Sequence, residues 1–199
     1  MADQFKVLII FAHPNREQSR VQSALLKAVQ TMEDVTVVDL YNEYPDFIID
    51  VKREQERVLE HSLLIFQHPI YWYSCPPLLK EWMDCVLELG WAYGEGGDKM
   101  KDLDFMQVIS AGGPGDAYHR GGYNRFTVHE LLRPFEATAN LCGWRYHSPF
   151  LVQGAKGLNA QTIHDHAQRY HNLLYFYRMQ GRRVLDALDT TFDQNTSIS

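Results

Sequence analysis

Three stretches of this chain gather side chains able to bind or transform a ligand. The first, Ala12-His13-Pro14-Asn15-Arg16-Glu17-Gln18-Ser19, brings an imidazole, an amide, a guanidinium and a hydroxyl to the start of an apolar helical stripe. Free N–H groups and the helix dipole favour an anion at such a terminus, and a phosphate ester fits there. The same residues fit equally well if Ser19 or Asn15 is simply the N-cap and His13 a loop residue. The stretch holds no glycine, so the Gly-x-Gly-x-x-Gly turn that brings a backbone against a dinucleotide pyrophosphate is missing. Asp39, at the end of the next apolar run, thereby loses its meaning as a ribose-binding carboxylate.

The second stretch is Gln67-His68-Pro69-Ile70-Tyr71-Trp72-Tyr73-Ser74-Cys75-Pro76-Pro77. Three consecutive aromatics in a proline-bounded loop cannot all enter one core, which leaves a face for a flat partner such as an isoalloxazine ring. Burial at a subunit interface explains the same composition. The third, Ser110-Ala111-Gly112-Gly113-Pro114-Gly115-Asp116-Ala117-Tyr118-His119-Arg120-Gly121-Gly122-Tyr123, joins glycines that permit close backbone approach to two groups able to carry protons, Tyr118 and His119. Such loops are also ordinary turns. Its weight comes from lying third in a series of strand exits that face one edge.

The elements that carry these loops can be read from periodicity. Apolar runs at residues 7–11, 35–38, 63–66, 105–109 and 150–152 predict five strands, each uniform enough to be buried on both faces. Between them lie helical stripes: Val21, Ala24, Leu25, Ala28 and Met32; then Leu78, Leu79, Trp82, Met83, Val86 and Leu87 behind Pro76-Pro77. A third stripe, from Val128 to Ala139, contains Pro134, which costs ~3 kcal/mol inside a helix and predicts a helix start or kink. The last runs from Ile163 to Tyr177, capped by Asn159 and ending near Gly181. Alternating strands and helices predict a doubly wound α/β domain with ligands beyond the strands' C-terminal ends. It spans residues 1–188, and residues 189–199 form a polar tail too poor in apolar side chains to order itself.

Composition narrows the partners. The chain of 199 residues is 45% hydrophobic with a net charge of -6, which gives one core and no basic footprint for nucleic acid. No apolar run approaches the roughly 20 residues of a membrane span. The start carries no secretory pattern, and Cys75, Cys85 and Cys142 form no metal or disulfide spacing, so a reduced cytoplasmic setting is expected. His164, His166 and His171 are spaced onto different faces or two turns apart and make no metal site. Aromatic residues reach 13%, more than a routine core needs.

At these positions the sequence resembles the NAD(P)H:quinone oxidoreductase family of flavodoxin-like flavoproteins, and within it the ancillary oxidoreductases of glutathione-gated potassium-efflux (Kef) systems. The resemblance covers residues 5–180. Its matching strings are Ala12-His13-Pro14, Tyr44-Pro45-Asp46-Phe47, Gln67-His68-Pro69 with Trp72-Tyr73-Ser74, Pro77-Leu78-Leu79-Lys80 with Trp82, Gly90-Trp91-Ala92-Tyr93-Gly94, Gly112-Gly113 and Leu132-Arg133-Pro134-Phe135-Glu136. It implies a flavodoxin-like five-stranded parallel sheet in order 2-1-3-4-5 with helices on both faces, a non-covalent FMN or FAD, NAD(P)H as co-substrate, and a homodimer with active sites at its interface.

Carried over by motif position, His13, Asn15, Ser19 and Arg20 would hold the flavin phosphate side, and Pro69, Ile70, Tyr71, Trp72 and Tyr73 would line the isoalloxazine. Ser110, Ala111, Gly112 and Gly113 would follow its pyrimidine edge. Tyr118 falls near the reactive ring, with His119 as the alternative proton donor, while Tyr93 and Tyr123 would reach substrate. Asn124 stands where quinone reductases carry a histidine.

Three functions remain open: two-electron, ping-pong reduction of quinones or similar acceptors; a regulatory subunit at the inner membrane face on a potassium-efflux transporter; and an α/β domain without cofactor.

Overall fold

A computed structural model describes residues 5–196, with side chains described as far as Asp189. The central strands owe their position to strict alternation of large apolar residues. In β1 (Val7–Phe11), Val7, Ile9 and Phe11 enter one layer of core while Leu8 and Ile10 enter the other, and all are fully buried. β2 (Val35–Asp39), β3 (Leu63–Pro69) and β4 (Asp104–Ser110) pair in parallel in the order β2-β1-β3-β4.

Two features depart from the expected strands. β2 lies at the sheet edge, where Thr36 is exposed and Val35 and Val37 are half-buried, so one flank lacks the cover that buries β1 and β3. The fifth strand is split into β5 (Arg145–Tyr146) and β6 (Phe150–Val152), both paired with β4. Between them the Ser148 N–H donates to the Asp189 carboxylate at 2.7 Å and Pro149 has no N–H, so the ladder is interrupted. The order 2-1-3-4-5 holds, with β6 as an additional strand.

Helices cover both faces. α1 (Arg20–Val29) buries Val21, Leu25, Leu26 and Val29 on one face of the sheet. α2 (Leu40–Glu43) and α3 (Val51–Leu59) follow β2 on the opposite face and meet α4 (Pro77–Val86). The periodicity count misses α3 because only Val58 and Glu54 are buried on it. The Glu54 carboxylate accepts from Tyr44 Oη at 2.7 Å and Trp82 Nε1 at 2.9 Å and pairs with Arg57. Two residues of the family strings, Tyr44 and Trp82, thus meet on one buried acid.

Near Pro134 the helical stripe divides, as expected, into α5 (Val128–Leu131) and α6 (Arg133–Cys142), with Pro134 tolerated in the first turn of α6. α7 (Ala160–Gln180) is capped by the Asn159 side chain, packs against α1 and ends at Gly181. α8 (Arg183–Thr196) corrects the expectation of a loose tail from residue 189. Leu185 is fully buried, and Asp189 is fixed by the Ser148 N–H and by His147 Nδ1 at 2.9 Å. Residues 197–199 of that tail lie outside the described residues.

Candidate functional site

The three strand exits converge because backbone hydrogen bonds lock them together. Ala12 N–H donates to the Gln67 carbonyl at 3.0 Å, and Ile70 N–H donates to that of Ser110 at 2.8 Å. Beneath them the fully buried Gln22 amide, in the first turn of α1, donates to the His68 carbonyl at 2.8 Å and to Ser110 Oγ at 3.1 Å. His68 is likewise buried: Nδ1–H donates to the Pro69 carbonyl at 3.0 Å while Nε2 faces the Gln107 amide at 3.3 Å. Burial holds its pKa down to about 4, so the ring is neutral.

Above this platform opens a crevice of about 780 Å3, within the range of small-molecule sites. His13, Asn15, Ser19 and Arg20 line one end, Pro69, Ile70, Tyr71 and Trp72 one side, and Ser110, Gly112, Gly113 and Tyr118 the other. None of its lining residues is Asp or Glu, whereas Arg20 and Lys156 are both present. On a chain of net charge -6, this local excess of positive charge favours an anionic ligand.

At the first exit, Ser19 is the N-cap of α1, accepting from Gln22 N–H at 3.2 Å, so its own hydroxyl hydrogen stays available to a ligand. Cap and crevice residue are the same side chain. His13 Nδ1 accepts from Asn15 N–H at 3.1 Å, which leaves Nε2 as the ring's donor; burial lowers its pKa. Arg20 donates to the Leu158 carbonyl at 2.9 Å at the crevice wall. Arg16 turns away, pairing with Asp39 at 3.0 Å.

The second exit is a two-residue reversal. Tyr71 and Ser74 exchange N–H to carbonyl bonds of 3.1 and 3.0 Å, with Trp72 and Tyr73 between them at φ of 49° and 63°. Left-handed backbone on two bulky residues costs roughly 1–2 kcal/mol each, and strain of this kind persists at functional sites. The turn holds Trp72 94% exposed over the crevice. Tyr71 meets His13 edge-on, with ring centroids 6.0 Å apart. Tyr73 lines instead an adjoining recess with Tyr123 and Asn124, and its hydroxyl donates to Asn124 Oδ1 at 3.1 Å.

At the third exit Ala111 is buried and spends its N–H on the Val152 carbonyl at 2.9 Å, so it is a prop beneath the crevice and not a wall of it. Gly112 and Gly113 come next, with the Tyr118 ring lying across Gly113 and the Lys156 stem across Gly112. A Cβ on Gly122 would stand 2.6 Å from the Asp116 carbonyl oxygen, so this loop closes only around glycine. His119 is exposed, accepts from Gly121 N–H at 3.1 Å and lines neither recess. Tyr93 also lies outside the chain's own crevice, packed against the core beside α4.

Lys156 and Gln22 escaped sequence reasoning. Lys156 sits in a short glycine-flanked turn with no motif, and Gln22 reads as an ordinary polar helix position. The exposed lysine becomes visible only when Gly112 places its stem, and the glutamine only when two strand ends meet over it.

Residues 5–174 match the family model described as flavodoxin-like fold. The chain belongs to this flavodoxin-like family. It is 44% identical to the glutathione-regulated potassium-efflux system ancillary protein KefG of Serratia proteamaculans (strain 568), over 87% of this chain and 95% of that protein. Two solved structures superpose well. The general stress protein 14 of Treponema denticola, in complex with FMN, gives a TM-score of 0.80 at 42% identity, covering 85% of this chain and 97% of that one. An NADPH-quinone reductase from P. pentosaceus gives 0.77 at 32%, covering 84% and 96%. This flavodoxin-like chain is thus similar both to oxidoreductases and to ancillary proteins of potassium-efflux systems. Among the described residues no helix is long and apolar enough to cross a membrane.

Proposed function

We propose that this chain binds FMN non-covalently and catalyses two-electron reduction of quinones or similar acceptors by NAD(P)H. The observation that carries the reading is the acid-free crevice. Its end near Ser19 offers donors to a phosphate, and its walls offer aromatic faces and glycine backbone to a flat ring. The Treponema denticola structure carries FMN, which favours FMN over FAD.

Bound flavin would supply the two-electron chemistry, taking hydride from the nicotinamide and yielding it to the acceptor. The chain's own residues hold and tune it. His13, Asn15, Ser19 and Arg20 grip the phosphate side, and Pro69, Ile70, Tyr71 and Trp72 orient the ring. Ser110 Oγ accepts from Gln22, so its hydrogen is free to point at the ligand. With the Gly112 and Gly113 N–H groups, which line the same wall, it would stabilise the negative charge that a bound flavin gains on reduction. Tyr118, lying on Gly113, holds or delivers the proton at its hydroxyl.

One crevice serves donor and acceptor in turn, which makes ping-pong kinetics the expected pattern. Trp72 and Tyr123 stand exposed along the crevice and its adjoining recess, and a second copy of the chain would cover them and bring Tyr93 to the substrate.

Native purification tests the reading: the protein should be yellow, release FMN on denaturation and oxidise NAD(P)H with a quinone. Tyr118→Phe should keep the flavin and lose most of the turnover. Colourless protein that takes up no added FMN would sink the proposal.

A second role is favoured by the similarity to KefG over 87% of the chain. The chain would then also act as an ancillary subunit on the cytoplasmic face of a potassium-efflux transporter. Stimulation of efflux by Tyr118→Phe protein would separate that role from the reductase, and failure of wild-type protein to alter efflux would exclude it.

A further inference from the structure

At the amino-terminal edge of the sheet, about 20 Å along β4 from Ser110, lies a second recess of about 500 Å3. Its apolar surface combines buried Met100 and Leu103 with Phe5 and Leu59, which are 40% and 52% exposed. Cations stand on two walls that come from distant parts of the sequence. Lys99 and Lys101 belong to the loop before β4, Arg182 to the turn between α7 and α8, and Arg183 to the first position of α8.

Most of the acidic groups here are already committed. Asp104 accepts from Arg182 Nε at 2.8 Å, from Tyr177 Oη at 3.0 Å and from His147 Nε2 at 3.1 Å. Asp102 pairs with Arg145. Asp186, the third acid of the lining, is engaged as well. Among the described residues no carboxylate lies within ion-pair distance of Lys99, Lys101 or Arg183. A chain with a net charge of -6 has thus gathered three cations without an ion-pair partner around one partly apolar recess.

We propose that this recess binds a small organic anion with an apolar body, a phosphate or carboxylate whose head reaches Lys99, Lys101 and Arg183 while its body lies on Phe5, Leu59 and Leu103. The volume suits a ligand of that size, and the lysine stems can cover the body while their ammonium groups meet the head. Arg182 is already held by Asp104, so one wall is fixed before the ligand arrives. The site is separate from the FMN crevice and does not depend on the reaction proposed there. Because Asp104 and Arg182 also anchor the start of α8, occupancy should stabilise the docking of that helix.

The test titrates phenyl phosphate into FMN-loaded protein, whose crevice is filled and whose flavin absorbance reports on it independently. Benzyl alcohol and inorganic phosphate supply body and charge alone. Phenyl phosphate should bind saturably, raise the melting temperature and exceed both controls by about tenfold in affinity, because only it engages both halves of the site. The double variant Lys99→Gln, Arg183→Gln should weaken it by about tenfold with flavin absorbance unchanged. Leu59→Asp, at an exposed helix end, should weaken it as well. Unchanged affinity in both variants, or equal binding of benzyl alcohol, would overturn the site. Retention on phosphatidylglycerol vesicles without binding of phenyl phosphate would overturn it in favour of a membrane surface.

Discussion

The buried Gln22 amide nitrogen lies 3.1 Å from Ser110 Oγ and 2.8 Å from the His68 carbonyl, tying the exits of β4 and β3 to the first turn of α1. These two exits carry the glycine loop and the aromatic loop, so one side chain sets the width of the crevice between them. Replacing it with Met keeps the volume but leaves the His68 carbonyl without this donor, a loss of about 1–3 kcal/mol. Gln22→Met should therefore lower the melting temperature by several degrees and weaken FMN binding. Ser110→Ala should leave melting nearly unchanged and affect flavin affinity alone. Wild-type melting and FMN affinity in Gln22→Met would show that the exits are held by backbone bonds only.

Gly113 and Tyr118 make a more local prediction. A Cβ on Gly113 would stand 3.1 Å from Tyr118 Cε2 and 3.3 Å from its hydroxyl oxygen, so the ring must give way. Gly113 is half-buried on a loop, and the ring can swing toward solvent with little change in stability. Gly113→Ala should thus melt within about a degree of wild type yet lower kcat by about tenfold, an overpacking cost of about 1–3 kcal/mol taken at the reacting edge. Stopped-flow reduction of bound flavin by NADPH separates this from lost affinity.

Much of the fold was legible because β1, β3 and β4 alternate large apolar residues between two layers, and a strand buried on both faces cannot be read otherwise. α3 was illegible for the opposite reason. It docks through Glu54, whose charge is neutralised by Arg57 and whose oxygens are filled by Tyr44 and Trp82, and an acid reads as surface until its partners are assembled. At the site, Ser19, Tyr118 and Gly113 could be placed because motif spacing puts them at strand exits. His119 could not be separated from Tyr118 by spacing, since the turn closed by Gly122 sends one ring to the crevice and its neighbour to solvent.

The Trp72-Tyr73 turn offers a test of strain against function. Both residues sit at positive φ in a two-residue reversal, the geometry for which Asn-Gly is the favoured sequence. Installing Asn-Gly there should relieve roughly 1–2 kcal/mol, raising the melting temperature by about 2–4 °C per kcal/mol. It also removes the ring over the crevice and the Tyr73 bond to Asn124. Stability should rise while kcat/KM for quinone reduction falls. A variant that melts lower than wild type would mean that the aromatic contacts outweigh the backbone cost.

Two buried histidines should shape the pH dependence of stability from opposite sides. His147 lies between Asp104 at 3.1 Å and Asp189 at 2.9 Å; the hydrogen bonds and charges of these carboxylates outweigh its burial and raise its pKa to about 9. A raised pKa means the folded state holds the proton more tightly, so this contribution is complete below pH 6.5 and is lost as pH climbs toward 9. His68 is the reverse case. Burial lowers its pKa to about 4, so its contribution is present above pH 6.5 and is lost as pH falls toward 4. Each shift corresponds to at most about 3 kcal/mol, and the two together place maximal stability near neutrality. The melting temperature should fall on both sides, and His147→Gln should flatten the limb between pH 7 and 9 while leaving the acid limb in place. An alkaline limb as steep in His147→Gln as in wild type would show that the Asp104, His147 and Asp189 array is not what ties α8 to the sheet.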